Sequence, residues 1–572
     1  MTGRATEGGT GDGIEGGAEG GAEGTAGGGA EGGSEAATGT AAGAGGSAWA
    51  PLREPVFRAL WLATLAGNAG TWMQTVGAQW MVVHEPDAAT WVSLVQTATT
   101  APVLLFALPA GALADALDRR RLLLAVQGSL FLIATGLTAL AWLDHLPPPL
   151  LLIFTFLLGC GQALTLPSWQ AVIPEVVRHD QLPAASALGA VNTNLARSAG
   201  PAVAGLLVAH FGSGTVFALN ALSFLVFAVA LLRWRRPAPP PVRRPEHFGS
   251  ALRAGGRYVR YSPVIRRILG RVLLFVLPGS VVWGLLPLVA SEELGMGASG
   301  YGVLLAALGV GAIAGALLMP RARRLLRTDQ MIVGSGLVYG AALLVTALVP
   351  NRFAVVPALV AAGLAWMMLV SRMNAAMQLA LPNWVRARAL AIYQLVFAGG
   401  QALGAFGWGQ VASAFGLRHT FGLAAASLLA GLLTVRLWPV HTHEEEDHSP
   451  AVFWAEPHLM LQPHLNDGPV LVTAVFRVPE GNAAAFEGAM RRVAGSRRRT
   501  GATQWGLFRD GADPGSFVEV YLVPTWEEHL RQHEGRLTGD DERAEERAIA
   551  LAEGPPEVRH LLPSGAEAKH SD

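Results

Sequence analysis

The sequence predicts an all-α membrane protein of twelve transmembrane helices in two six-helix halves, followed by a small soluble α+β domain. Three observations predict it. Of 572 residues, 51% are hydrophobic and only 15% charged, too few charges for a soluble chain of this length. Between residues 57 and 438 the chain reads as apolar runs long enough to cross a bilayer, separated by short polar turns. A pattern in the first half also returns in the second. The stretch beginning at Gly111 and ending in Arg119, Arg120 and Arg121 recurs 204 positions on, from Gly315 to Arg321, Arg323 and Arg324. At the same offset Phe211-Gly212 returns as Phe415-Gly416, Phe217 as Phe421, Leu219 as Leu423 and Ser223 as Ser427. Two related halves follow.

Residues 1–50 are Gly/Ala/Glu/Thr repeats without an apolar run, so they cannot bury a core and are expected to be disordered. They contain no signal-peptide core, which leaves the first membrane helix as the insertion signal. Twelve apolar runs follow, near 57–83, 90–114, 121–143, 149–172, 184–210, 214–233, 264–290, 299–320, 329–350, 353–379, 387–414 and 418–438. They divide into an N-terminal half, 51–233, and a C-terminal half, 264–440. The linker between them, 234–263, has a stiff run from Pro237 to Pro241 and then a basic, aromatic stretch with Arg253, Arg257, Tyr258, Arg260 and Tyr261. That composition suits an interfacial helix lying on anionic lipid.

Residues 441–467 form a polar tether. Its His441, His443 and His448 read as solvated rather than metal-binding, because nothing fixes a coordination geometry. Residues 468–563 read as the soluble domain. Strands are expected at 470–478, 503–509, 517–523 and 558–562, with helices at 482–498, 526–533 and 541–552. This β-α-β-β-α-β order is ferredoxin-like. Residues 564–572 are a tail.

Arginine sets the expected orientation. The even-numbered turns carry Arg119 to Arg121, Arg178, the linker cluster, Arg321 to Arg327, Arg386 and Arg388, whereas the odd-numbered turns hold only Arg352 and Arg418. Both termini are therefore expected on the cytoplasmic side of a cell membrane. Net formal charge is zero, so no nucleic-acid partner is implied. The single cysteine, Cys160, excludes a disulfide framework and a cysteine metal site, and no metal or cofactor is expected.

Candidate functional residues are the polar ones inside apolar runs. On the first run, Asn68, Thr71, Thr75 and Gln79 fall on one helical face; on the tenth, Ser371, Asn374 and Gln378 follow Met367 in the same way, with Arg372 adjacent. Helix–helix hydrogen bonding explains any one of them; a cavity shared by the two halves explains them together. Arg197, midway along the fifth run, is the costliest residue in the spans and requires carbonyls, a carboxylate or an anionic substrate. Gly200-Pro201 follows it, where a proline bend and small residues permit close packing.

The stretch Gly111-x-x-x-Asp115-x-x-x-Arg119-Arg120 resembles the loop 2–3 signature of the major facilitator superfamily, with Ala116 and Asp118 standing where that pattern has a basic residue and a glycine. Pro167-Ser168-Trp169, Pro174-Glu175, the stretch from Asn194 to Pro201 and the stretch from Asn374 to Arg386 look like its enterobactin-exporter branch, which includes the transmembrane secretion effectors with a cytosolic tail. The resemblance covers residues 50–563. It implies a secondary exporter of siderophores, drugs or similar amphipathic molecules, driven by an ion gradient, with protons as the coupling ion. It also implies a conformational gate at Gly111, Asp115, Arg119, Arg120, Gly200, Pro201 and Arg386. One departure is that no Asp or Glu lies deep inside a run. The tail's Trp505, the strand from Phe517 to Val520, Trp526 and the stretch from Glu528 to His533 look like the same branch, and the tail also resembles the antibiotic-biosynthesis monooxygenases, a resemblance that implies His529 or His533 as a base. A cofactor-free enzymatic tail is thus an alternative to a dimerising or regulatory one, as import is to export.

Overall fold

The computed structural model describes residues 49–234, 248–437, 461 and 463–564. The expected disorder of 1–50 falls almost wholly outside them, as do the proline run and the tether histidines. The chain is mostly helical. Six long helices come first: α1 (Pro55–Met81), α2 (Ala88–Ala116), α3 (Arg119–Trp142), α4 (Pro148–Val176), α5 (Leu182–Phe211) and α6 (Ser213–Arg233). A short α7 (Phe248–Tyr261) leads to α8 (Pro263–Leu288), α9 (Ala298–Leu325), α10 (Thr328–Leu348), α11 (Arg352–Leu379) and α12 (Asn383–Leu437). Among the described residues, nine helices are long and apolar enough to cross a membrane. Helices α1 and α5, each interrupted by several polar residues, are not among the nine, and the 55-residue α12 counts once although its backbone breaks at Gly416.

Local chemistry sets the helix ends. Proline occupies the first turn of α1, α4, α5 and α8, where its missing N–H is not needed. The Asp118 carboxylate accepts the Arg121 amide and caps α3, so the residue that departs from the loop signature has a helix-starting task. Gly212 joins α5 to α6 at φ 78°, ψ 168°, a region open only to glycine.

The C-terminal α+β part is built from β1 (Val470–Arg477), α13 (Ala483–Thr500), β2 (Gln504–Arg509), β3 (Ser516–Val523), α14 (Trp526–Arg531), α15 (Gly539–Ile549) and β4 (Glu557–Leu561). The sheet order is β2-β3-β1-β4 with every pair antiparallel. Phe476, Phe486, Met490 and Phe517 fill the space between sheet and helices. Beneath them Arg497, fully buried, forms ion pairs with Glu519 and Glu545.

The linker helix α7 is not simply laid on lipid. Its Arg257 pairs with Glu528 of α14 at 2.8 Å, and its Tyr258 ring stands edge-on to Trp384 at the start of α12. Arg536 donates to Glu528 at 2.9 Å, its carbonyl accepts from Trp384, and its guanidinium lies over the Trp384 ring. The basic face expected for lipid is partly spent on fastening the soluble domain.

Candidate functional site

The two halves meet tightly at one end. Gly205 of α5 faces Gly302 of α9 so closely that a Cβ on Gly205 would lie 2.7 Å from the Ala298 carbonyl oxygen. On the other side, Gly409 of α12 leaves no room for a Cβ beside the Ser93 hydroxyl of α2. Gln79 of α1 closes the same end: its Nε2 donates to the Trp283 carbonyl at 3.0 Å, and its Oε1 accepts the Tyr301 hydroxyl. Trp80 stacks on Tyr301, and Trp72 lies 5.9 Å from Trp283. Expected in a cavity wall, Gln79 is buried and spent on a bridge between halves. Periodicity places it on the right face but does not show its partners.

Toward the opposite end, the N-terminal half holds a cavity of about 190 Å³. Its polar wall is Asn68, Gln127, Gln162, Thr165, Asn192 and Thr193, with Trp61 and Trp169 as aromatic sides; none of its lining residues is charged. Asn68 donates to the Asn192 side chain at 2.9 Å, and Asn192 donates to the Trp61 carbonyl at 2.8 Å. Gln162 donates to the Thr71 hydroxyl at 3.0 Å. The buried Oε1 of Gln127 has no hydrogen-bond partner among the described residues. Such a wall recognises hydroxyls, amides and carbonyls and stacks on flat rings. Sequence reasoning misses Gln127 and Gln162, because each interrupts its apolar run singly, and Asn192, although the cluster from Asn192 to Asn194 just before Arg197 is a signal that could have found it.

One turn along α1 from Asn68, Trp72 leads to a second cleft, only about 10 Å³ in volume, between the halves. Arg197 points into it, facing Trp283, Tyr339 and Trp366 of the C-terminal half. Its guanidinium lies 5.8 Å from the Trp72 ring centroid, a cation–π distance. Among the described residues it has no hydrogen-bond or ion-pair partner, and its Nε is buried and unsatisfied. Gly200 lets α5 approach α1 here, since a Cβ would meet the Trp72 side chain at 3.0 Å, and Pro201 lines the same cleft.

The remaining candidates lie elsewhere. Thr75 bonds to the Thr71 carbonyl of its own helix. Ser371 donates to the Met367 sulfur, and Gln378 to the Asn374 side chain, all within α11. Arg372, expected in the cavity, is held by the Thr328 hydroxyl at the start of α10, because it lies too close to the helix end to reach the centre. Arg119 forms an ion pair with Glu175 of α4 at 2.8 Å, and Arg120 donates to the Leu231 and Leu232 carbonyls ending α6. Both contacts brace the N-terminal half. Arg386 donates to the Leu381 carbonyl. Gly111 and Asp115 belong to the last turns of α2, and the Asp115 side chain lies outside the described residues.

The sequence pattern of the transmembrane secretion effectors matches residues 46–568, so it takes in the soluble domain as well. The multidrug efflux pump Tap of Mycobacterium tuberculosis is 27% identical over 67% of this chain and 94% of its own length. The staphyloferrin A transporter of Staphylococcus aureus is 25% identical over 48% of this chain and 69% of its own. The enterobactin exporter EntS of Shigella boydii is 30% identical over 46% of this chain and 63% of its own. Among solved structures, a bacterial homolog of the lysosomal transporter Spinster, inward-facing and unoccupied, aligns over 68% of this chain and 96% of its own with TM-score 0.53 and 15% identity. The nucleoside transporter NupG aligns over 67% and 98% with TM-score 0.51 and 13% identity. These likenesses carry the fold.

Proposed function

The chain belongs to the transmembrane secretion effector family of major facilitator superfamily transporters, and from that premise we propose that it exports a small amphipathic molecule bearing an acidic group. The molecule is of the siderophore or drug class, in keeping with the named relatives. The membrane part crosses twelve times, with α12 contributing two spans about Gly416 and both termini in the cytoplasm. The observation that carries this reading is Arg197: a guanidinium midway along a membrane helix, unpaired among the described residues, in a cleft walled by both halves. A buried cation without a partner is costly, and an anionic group is what lowers that cost.

Alternating access supplies the route. The conformation is closed at the Gln79–Tyr301 end, where Gln79 bridges the two halves, and its uncharged polar cavity lies toward the arginine-rich end, which is the inward-facing state if that end is cytoplasmic. Substrate enters among Asn68, Gln162 and Asn192, its rings against Trp61 and Trp169, and its acidic group reaches Arg197 when the cleft widens. Protons moving inward drive the export, and the acidic group leaves Arg197 for water when the outer end opens. Asp115, Gly111 and Arg386 bias the exchange at the arginine-rich end. The soluble domain pairs two copies through β4, whose Val558 and Leu561 are exposed on an edge strand. Gradient-driven uptake into inside-out vesicles tests the reading. Accumulation that collapses when the pH gradient is dissipated supports proton-coupled export; accumulation only in right-side-out vesicles makes the protein an importer.

A further inference from the structure

Three imidazoles meet in the soluble domain, far along the sequence from the transport cavity. His529 lies near the end of α14, His533 lies one turn on in the π-helical segment 532–536, and His560 comes from β4, which pairs with β1. His529 and His533 are buried and His560 is half-buried. One nitrogen from each ring lies within 4.8 Å of the others, and the His529 and His533 Nε2 atoms are 3.2 Å apart. A tetrahedral ion with metal–nitrogen bonds of about 2.0–2.1 Å holds its ligand nitrogens about 3.3 Å apart, so two are already placed and the third needs a small inward shift.

The surroundings fit that use. The Gln532 amide nitrogen donates to the Thr500 hydroxyl at 3.2 Å, which turns its oxygen toward His529 Nδ1, also at 3.2 Å. An amide oxygen only accepts, so Nδ1 carries the proton and the Nε2 lone pair faces the cluster. Metal-bound histidines are usually oriented by such a partner. Burial, helped by His533 and His560, pushes the His529 imidazole down to about 3, and burial also pushes His560 down. These two rings are therefore neutral at pH 7, as ligation requires. Trp526 walls the site, 5.3 Å from the His529 ring and 6.4 Å from His560.

We propose that His529, His533 and His560 form a binding site for a divalent transition-metal ion of the zinc type, with one coordination position left for water or an exogenous ligand. Three imidazole nitrogens select Zn²⁺, Co²⁺, Ni²⁺ or Cu²⁺ over Mg²⁺ and Ca²⁺, which prefer oxygen. The ion sits on the same segment that fastens the soluble domain, since Glu528 and Arg536 flank the ligating histidines and reach α7 and Trp384.

The test uses full-length protein in detergent, with any affinity tag removed and His441, His443 and His448 replaced by alanine. After chelation it is titrated with Co²⁺, whose visible absorption reports coordination geometry, and then with Zn²⁺ in competition. The expected result is one Co²⁺ per chain with intense four-coordinate bands, displaced by Zn²⁺. His533→Gln and His560→Gln each weaken binding by at least ~100-fold, and Gln532→Ala by ~10–100-fold. Hydrogen exchange in residues 526–536 slows on loading, which localises the ion even if one variant fails to fold. No visible band, or a band unchanged in both His→Gln variants, overturns the proposal, as does protection that falls elsewhere.

Discussion

Gly212 and Gly416, 204 residues apart, hold the same backbone conformation: φ 78°, ψ 168° in one and φ 77°, ψ 165° in the other. Each follows an exposed phenylalanine, Phe211 or Phe415, and precedes a buried one, Phe217 or Phe421. The sequence repeat is thus a repeat of structure, and each half turns its fifth long helix into its sixth by one glycine. Replacing either by alanine forces a side chain into a region reserved for glycine, at about 1–3 kcal/mol. Gly212→Ala and Gly416→Ala are expected to lower thermal stability in detergent by similar amounts. Asparagine brings no rescue, because ψ near 165° lies outside the left-handed helical well that it tolerates.

The closed end depends on close backbone approach. Gly205→Leu or Gly409→Leu places atoms where Ala298 and Ser93 already stand. Both variants are expected to open that end, lengthening spin-label distances across it and lowering turnover. Gly407→Leu is the control expected to leave the distances unchanged, because a Cβ there meets nothing within 4 Å.

The polar wall of the cavity around Asn68 and Asn192 is expected to act in recognition rather than in the conformational cycle. Gln162→Ala removes a hydrogen-bonding side chain worth about 0.5–1.5 kcal/mol, which is about 2–12-fold in substrate affinity. Binding by calorimetry is expected to weaken by that factor while spin-label distances stay at wild-type values. Asn192→Ala is expected to cost more, because it strands both Asn68 and the Trp61 carbonyl.

In the C-terminal domain, Arg497 forms ion pairs with two buried carboxylates, Glu519 and Glu545. Arg497→Met leaves Glu519 and Glu545 buried together, a loss of about 3–5 kcal/mol. Chemical denaturation of the full chain, followed by far-UV signal from the sheet, is expected to show that domain unfolding first.

Much of this architecture is legible in the residues because a bilayer dictates run length. The expected run 121–143 and the helix Arg119–Trp142 differ by two residues at one end and one at the other. The β-α-β-β-α-β order is equally legible, since strand and helix periods alternate cleanly from Val470 onward. Partnership is not. Helical spacing places Gln79 on one face with Asn68, but only the opposing half reveals that Gln79 meets Trp283 and Tyr301. Arg372 sits beside the right residues yet reaches Thr328 on the neighbouring helix. The histidine cluster is hidden for the same reason, because β4 brings His560 beside His529 only through its pairing with β1.

The central claim is that Arg197 receives the acidic group of an exported substrate, and transport of matched substrates tests it most directly. Inside-out vesicles with an imposed pH gradient are offered two amphipathic compounds that differ only in a carboxylate and its methyl ester, with wild-type protein, Arg197→Gln and Arg197→Lys. The account predicts that wild type accumulates the acid, that Arg197→Gln loses it by at least about tenfold, and that Arg197→Lys restores part of it, since an ammonium keeps the charge without the planar fork. Undiminished transport of the acid by Arg197→Gln, in protein inserted at wild-type levels, would contradict it.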